Sequence, residues 1–340
     1  MVNFKKIKKV LVVRTDRIGD VLLNLPAIEL LKKKIPQAQF TLMTGSNLTD
    51  LLQHQPVFNE VINYDLYKDK TLKLWLFLLK RRFDLCLIMN PQKKFHALSF
   101  LSGIPYRCGY DRKWGRLLNF RREDVKAYGE KHEIEYNLDL LSELGINYSS
   151  ASVHFNLSTN PSHERKIKKL FLELFKNETP SFIAIHPFAS VPYKEWPYER
   201  YAELIKKIKE IYSDLQIIFV GQNNLQQNIW LPSQTVNLIN KLDLNELAAL
   251  LKKARLLIST DSGPLHIAAG VGTRTIALFG PNFSYSSPTR WGPWGENHIV
   301  IHKKYNCSPC KDTPCMQDFS CMKSIDINDV FQAFKKQMLS

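Results

Sequence analysis

The 340-residue chain has no apolar run long enough to span a bilayer. The longest, around 72–79, carries Lys73 and runs into Lys80, Arg81 and Arg82. Met1–Lys6 lacks an apolar region ahead of a small-residue cleavage site, so no signal peptide is expected. No internal repeat or low-complexity tract is found. The first polar turn, Arg14 to Asp20, holds a single glycine, Gly19. A dinucleotide fingerprint needs G-x-G-x-x-G so that a pyrophosphate can approach bare backbone, and its absence argues against a nicotinamide cofactor there. No D-x-D pair stands where it would demand an obligatory ion. The tail cysteines Cys307, Cys310, Cys315 and Cys321 have no histidine among them and only one C-x2-C half-site. A structural zinc and a cluster of reduced buried thiols therefore both stay open. Cys86 and Cys108 stand alone and read as buried small hydrophobes.

Acidic residues are outnumbered. The net charge is +15, with 25 basic against 16 acidic residues in 1–150 and 22 against 16 in 151–340. A field of that sign favours an anionic partner, whether nucleic acid, an acidic membrane surface or a phosphorylated substrate. No nucleic-acid-binding motif is present to favour the first. The hydrophobic fraction of 44% and charged fraction of 23% are ordinary for a globular chain, and the length suggests two domains.

Short apolar strands alternate with helical runs. Val10–Val13, Phe40–Met43, Val57–Ile62 and Asp84–Ile88 read as strands, with helices over Val21–Leu31, Leu72–Leu79, Lys93–Leu101 and Glu133–Leu144. Ser, Asn and Pro clusters between Gly145 and Pro180 mark a junction around one basic helix, Arg165–Phe175. The alternation then restarts with Phe182–Ile185, a helix Tyr198–Ile211, Gln216–Gly221, a helix Asp243–Lys253 with a capping box at Asp243 and Glu246, Arg255–Ile258 and Thr275–Gly280. The expected fold is α/β. Two Rossmann-like doubly wound domains, 1–165 and 175–325, would face a central cleft at the carboxyl ends of their strands.

Three stretches carry chemistry. Ser259-Thr260-Asp261-Ser262-Gly263-Pro264-Leu265-His266 leaves a strand through a polar turn into a helix whose proline needs no N–H, a ready anion site or an ordinary capped turn. His186–Pro197 follows another strand and offers Ser190 as a hydroxyl donor and Lys194 as a point charge for a diphosphate. Asp20, beside Arg14 and Arg17, reads either as a helix N-cap or as a general base kept ionised by its arginines, which would also hold an anionic acceptor.

Val10–Pro26, His186–Trp196 and Thr260–Ala269 together resemble glycosyltransferase family 9, the heptosyltransferases of the bacterial lipopolysaccharide inner core. Ala277–Pro281 and the cysteine-rich tail are also similar to many members. The resemblance implies a GT-B type fold, with the acceptor on the N-terminal domain and an ADP-sugar on the C-terminal one. A final helix, 326–340, would pack back on the first domain. It implies an inverting displacement in which Asp20 deprotonates the acceptor and Lys194 and Ser190 stabilise the departing diphosphate. Thr260, Asp261, Ser262, Gly263 and His266 would bind the donor; Arg14, Thr15, Arg17 and Gly19 would bind the acceptor. No cofactor is obligatory, with magnesium as a stimulant. The partners implied are an ADP-sugar and an anionic lipid-linked oligosaccharide at the cytoplasmic face of the inner membrane, with no nucleic acid. Asp16 and Arg17 stand where small residues often precede the Ile-Gly-Asp, and Asn223-Asn224 where a carboxylate often faces the ribose. Transfer from another nucleotide sugar or to another acceptor, or a non-catalytic anion- or nucleic-acid-binding role, is the alternative.

Overall fold

A computed structural model describes residues 2–222, 231–280, 283–303 and 318–339. Two compact units divide the chain, Met1–Ser158 and Thr159–Ser340. In the first, β1 (Lys9–Val13), β2 (Gln39–Thr44), β3 (Glu60–Asn63), β4 (Leu85–Ile88), β5 (Tyr106–Tyr110) and β6 (Phe120–Arg122) form a parallel sheet in the order β3-β2-β1-β4-β5-β6. β4 is buried throughout and β1 from its second residue. Such continuous apolar runs suit a parallel sheet with helices on both faces.

Local chemistry explains where the elements depart from expectation. The helix expected over Val21–Leu31 is two helices, Ile18–Leu22 and Leu25–Lys34. Pro26 cannot donate back to Leu22, but its fixed φ suits the first turn of a new helix. The third strand starts at Glu60, later than Val57, because Asn59 docks on β2. Its N–H donates to the Phe40 carbonyl, and its side-chain oxygen accepts from the Phe40 N–H. β5 and β6 arise from a stretch whose arginines conceal the strand pattern.

In the second unit, β7 (Phe182–His186), β8 (Gln216–Phe219), β9 (Val236–Asn237), β10 (Leu257–Thr260), β11 (Thr275–Phe279) and β12 (His298–His302) are again parallel. Their order is β12-β11-β10-β7-β8-β9. Counted from β7, this is the topology of the first unit, although the two sequences share no visible repeat. In each sheet the connections reverse direction beside the first strand, between β1 and β4 and between β7 and β10. Doubly wound sheets bind their ligands outside the carboxyl ends of strands at such a reversal.

One helix read at the junction and one expected with the first domain belong to the second unit. Pro161–Phe175 packs on the helix Leu244–Leu251, and the pairs Lys166–Glu246 (3.2 Å) and Lys252–Glu164 (2.7 Å) join them. The closing helix, Ile327–Leu339, was expected to return to the first domain. Instead it packs on the helix Tyr198–Ile211, with Val330, Phe331, Phe334 and Met338 in one core with Tyr201, Leu204, Ile205 and Ile208. Its apolar face is long enough to finish that core, and Arg274 ties its end by donating to the Gln337 carbonyl at 2.8 Å. Trp196 donates to the Ile325 carbonyl at 2.8 Å and fixes the approach.

Phe334 is fully buried. Phe334→Ala is expected to destabilise the second unit by about 3–5 kcal/mol. Urea unfolding followed by a probe in the second unit checks it.

Candidate functional site

In the first unit the site starts from β1. The Arg14 N–H continues the ladder by donating to the Met43 carbonyl at 3.1 Å, which turns the Arg14 side chain to the reversal point between β1 and β4. That side chain is 5% exposed. Its Nε donates to Asp16 Oδ1 at 2.7 Å, one Nη to the Met89 carbonyl just beyond β4 at 2.8 Å, and the other to Asp20 Oδ1 at 2.7 Å. The last nitrogen also lies 3.8 Å from Glu133 Oε1. Glu133 is completely buried and paired with Lys126, whose ammonium donates to Asn137 Oδ1 at 3.0 Å and sits 4.5 Å over the Tyr110 ring.

Charge explains the protonation behaviour. Burial alone would lower the pKa of Arg14, but Asp16, Asp20 and Glu133 together raise it further above its ordinary value. Burial pushes the Asp20 carboxyl up to about 6; Arg14 opposes the rise, while Asp16 and Glu133 add to it. The expectation that arginines would hold this carboxylate low is thus corrected. The N-cap reading is corrected too. Arg17 is the N-cap of Ile18–Leu22, and Asp20 lies inside the first turn with its carboxylate on Arg14. Arg14, expected at the acceptor, is buried and holds Asp20. Of the other expected acceptor residues, Arg17 is exposed, Thr15 Oγ1 accepts from Gln92 at 2.9 Å, and Gly19 is part-exposed in the helix.

In the second unit, β7 ends in His186 and β10 in Ser259-Thr260. Ser262 Oγ lies 3.1 Å from His186 Nδ1 and 3.1 Å from Ser259 Oγ. Burial pulls the His186 pKa down to about 4, leaving a neutral imidazole beside the two hydroxyls. Gly221, at the end of β8, has φ +124°, and a Cβ there would meet the His186 ring at 2.4 Å. Only glycine fits that position without displacing the ring.

Two distant motifs meet here. Lys194 forms an ion pair with Asp261, and both side chains are largely buried. The loop carrying Lys194 is closed by Glu195 Oε1, which accepts from the Ala189 N–H at 3.0 Å. Ser190 lies exposed on that loop, and Gly263 opens the helix Gly263–Gly270 after the N-cap Ser262. Thr260 and His266, both expected at the donor, have buried side chains. Thr260 is fully buried and donates to the Phe188 carbonyl at 2.8 Å, and His266 is buried on the helix against Trp291. Asp261 likewise serves Lys194. The aromatic stretch after β11 packs on itself: Phe283 and Tyr285 stack at 4.8 Å, and Trp291 donates to the Tyr285 carbonyl at 2.8 Å.

Cys307, Cys310 and Cys315 lie outside the described residues, as do Asn223, Asn224 and Pro281. Cys321 is buried beside Met322. Among the described residues no group of three or more His, Cys, Asp or Glu side chains is placed to hold a metal ion.

Two units with the same strand order, each with polar residues at its reversal point, are the architecture of GT-B type glycosyltransferases. Solved structures share it. The glycosyl transferase family 9 protein from Veillonella parvula DSM 2008 has a TM-score of 0.78 and 20% identity, covering 98% of this chain and 97% of that one. The E. coli ADP-heptose lps heptosyltransferase II has a TM-score of 0.75 and 22% identity, covering 97% and 98%. Lipopolysaccharide heptosyltransferase 2 of Escherichia coli K12 is 26% identical over 317 residues, 86% of this chain and 87% of that one. The family model "Glycosyltransferase family 9 (heptosyltransferase)" matches residues 71–319, and the chain belongs to that family. It is a glycosyltransferase. The match contains Lys194 and Asp261 but begins beyond Asp20, whose assignment rests on its own surroundings.

Folded Asp20 keeps its proton up to a pH of about 6, against 3.8 for the ordinary carboxyl. The native state therefore binds more protons than the unfolded chain between those values, and stability falls as pH rises through them. Asp20→Asn should raise the melting temperature at pH 7, with the gain vanishing near pH 4. A lost helix cap would lower it at both.

Proposed function

We propose that the protein is an inverting heptosyltransferase that moves heptose from ADP-heptose to an anionic lipopolysaccharide inner-core acceptor. The observation that carries this reading is that one chain of this family holds a partly buried carboxylate on Arg14 and a lysine paired with Asp261 beside a helix start. A carboxylate titrating at about 6 is largely ionised at neutral pH, yet is a stronger base than an ordinary aspartate. Asp20 takes the proton of the acceptor hydroxyl as its oxygen bonds to the anomeric carbon. The bond from that carbon to the diphosphate oxygen breaks, and ADP leaves with the negative charge. Inversion follows from a single displacement.

Lys194 and the first N–H groups of Gly263–Gly270 meet the charge growing on the leaving diphosphate, with Ser190 as a further donor. Asp261 keeps Lys194 in place. Arg17 is the exposed cation available to the acceptor's anionic groups. Magnesium would supply only further positive charge at the diphosphate, as a stimulant beside Lys194. The names of the relatives, with their lipopolysaccharide and ADP-heptose chemistry, support this choice of donor and acceptor.

We further place the enzyme at the cytoplasmic face of the inner membrane. Among the described residues no helix is long and apolar enough to cross a bilayer, so attachment would be at the surface. On the first unit, Leu66, Leu72 and Leu76 are 59%, 65% and 52% exposed, with exposed Lys68, Lys70, Lys73 and Lys80 among them. The segments are packed together: Tyr67 meets Phe77 at 5.5 Å, and Lys73 lies 5.6 Å over the Tyr67 ring. Leucines between lysines suit an anionic lipid surface.

Asp20→Ala should lower kcat by about 10²–10⁴-fold while calorimetry finds ADP binding unchanged. Lys194→Ala should weaken ADP binding and kcat together. Failure of ADP-heptose and ADP to bind the wild type would overturn the donor assignment. In co-sedimentation with phosphatidylglycerol-containing vesicles, Lys70→Ala with Lys73→Ala should weaken binding roughly thirtyfold, at about 1 kcal/mol per lysine. Equal binding to pure phosphatidylcholine vesicles would remove the electrostatic attachment.

A further inference from the structure

Behind Asp20 lies a buried ionic cluster that the reaction itself does not use. Glu133 is the first residue of the helix Glu133–Ser142, which starts in a capping box. His132 Nδ1 accepts from the Ile134 N–H at 3.2 Å, and Glu135 Oε2 accepts from the His132 N–H at 3.0 Å. This start places a fully buried carboxylate against the Arg14 nitrogen that carries Asp20. One turn on, Asn137 accepts from Lys126 and donates its Nδ2 to the Leu23 carbonyl at 3.1 Å. Leu23 is the C-cap of the short helix that bears Asp20. The helix Glu133–Ser142 therefore grips its neighbour twice, through Arg14 at the Asp20 carboxylate and through Asn137 at the helix end. A buried ion pair is rarely more stabilising than well-packed apolar residues of the same volume, so stability gives little reason for this cluster.

We propose that Glu133 and Lys126 are positioning residues that fix Arg14 and set how strongly Asp20 holds its proton. The inference rests on the reading of Asp20 as the base. The charged groups facing Asp20 are Arg14 and Asp16 from its own turn and Glu133 from the neighbouring helix, with Lys126 and Asn137 behind Glu133. Counted with Asp20 protonated, two cations balance two carboxylates. Ionising Asp20 leaves one negative charge in excess, and each neighbour acts on that step with a definite sign. Glu133 draws on the same guanidinium as Asp20 and disfavours a second carboxylate there. Lys126 neutralises Glu133 and so relieves it.

The test is titration of the Asp20 carboxyl carbon by NMR, run beside the pH profile of kcat. Glu133→Gln should move the Asp20 midpoint down by about one pH unit, and Lys126→Met should move it up. Lys126→Arg should restore it. Midpoints that stay put in folded Glu133→Gln protein would overturn the inference, whatever the change in melting temperature. Should Lys126→Met fail to fold, the downward shift in Glu133→Gln alone decides the matter. A carboxyl midpoint that moves without the acidic limb of kcat following would support the positioning role and sink Asp20 as the base.

Discussion

Arg14 is the residue on which the first half of the site depends. It leaves β1 with its backbone in the sheet and its guanidinium buried, where a lone charge would be prohibitive. Two 2.7 Å contacts to Asp16 and Asp20 and one to the Met89 carbonyl make the burial tolerable. Without Arg14, the carboxylates would repel one another across a low-dielectric pocket. With it, they share one cation, and the carboxylate on the solvent side keeps unusual basicity. The backbone ladder, the reversal of strand order and the chemistry of Asp20 thus meet in one side chain.

The second unit solves a different problem on the same frame. Its reversal point holds a neutral imidazole and two hydroxyls, and an ion pair joins Lys194 to Asp261 across 67 positions of sequence. Glycine at 221 makes room for the imidazole, and Glu195 closes the loop from within. The polar groups here arrange backbone and lysine, whereas those of the first unit arrange a carboxylate.

Much of this was legible in the chain. Apolar runs such as Val10–Val13 and Phe182–Ile185 are buried strands because a covered parallel sheet demands them, and the capping box at Asp243 and Glu246 forms as written. The turns Arg14–Asp20 and Asp261–Pro264 each follow a parallel strand into a helix, as read. The errors lie where tertiary contacts override local pattern. Nothing near Asp20 in sequence announces that Glu133 backs its arginine, or that burial outweighs that arginine in setting its pKa. Lys194 and Asp261 each looked like independent ligand contacts, since only the fold reveals that they pair. Thr260 and His266 sit in a ligand-like motif, yet the strand end and the short helix bury both side chains. The closing helix was misplaced because its amphipathic pattern shows that a face is buried but not in which core.

The shared strand order bears on how such a protein can change. Each unit has its own core, and the closing helix is part of the second. Arg14, Asp20 and Glu133 lie wholly within one unit, and Lys194, Asp261 and the helix start wholly within the other. Drift in the turn around Asp16 and Arg17 need not disturb the packing around Lys194. Substitutions can therefore accumulate in one turn while the other is inherited intact, which makes the two halves separately evolvable modules of one chain.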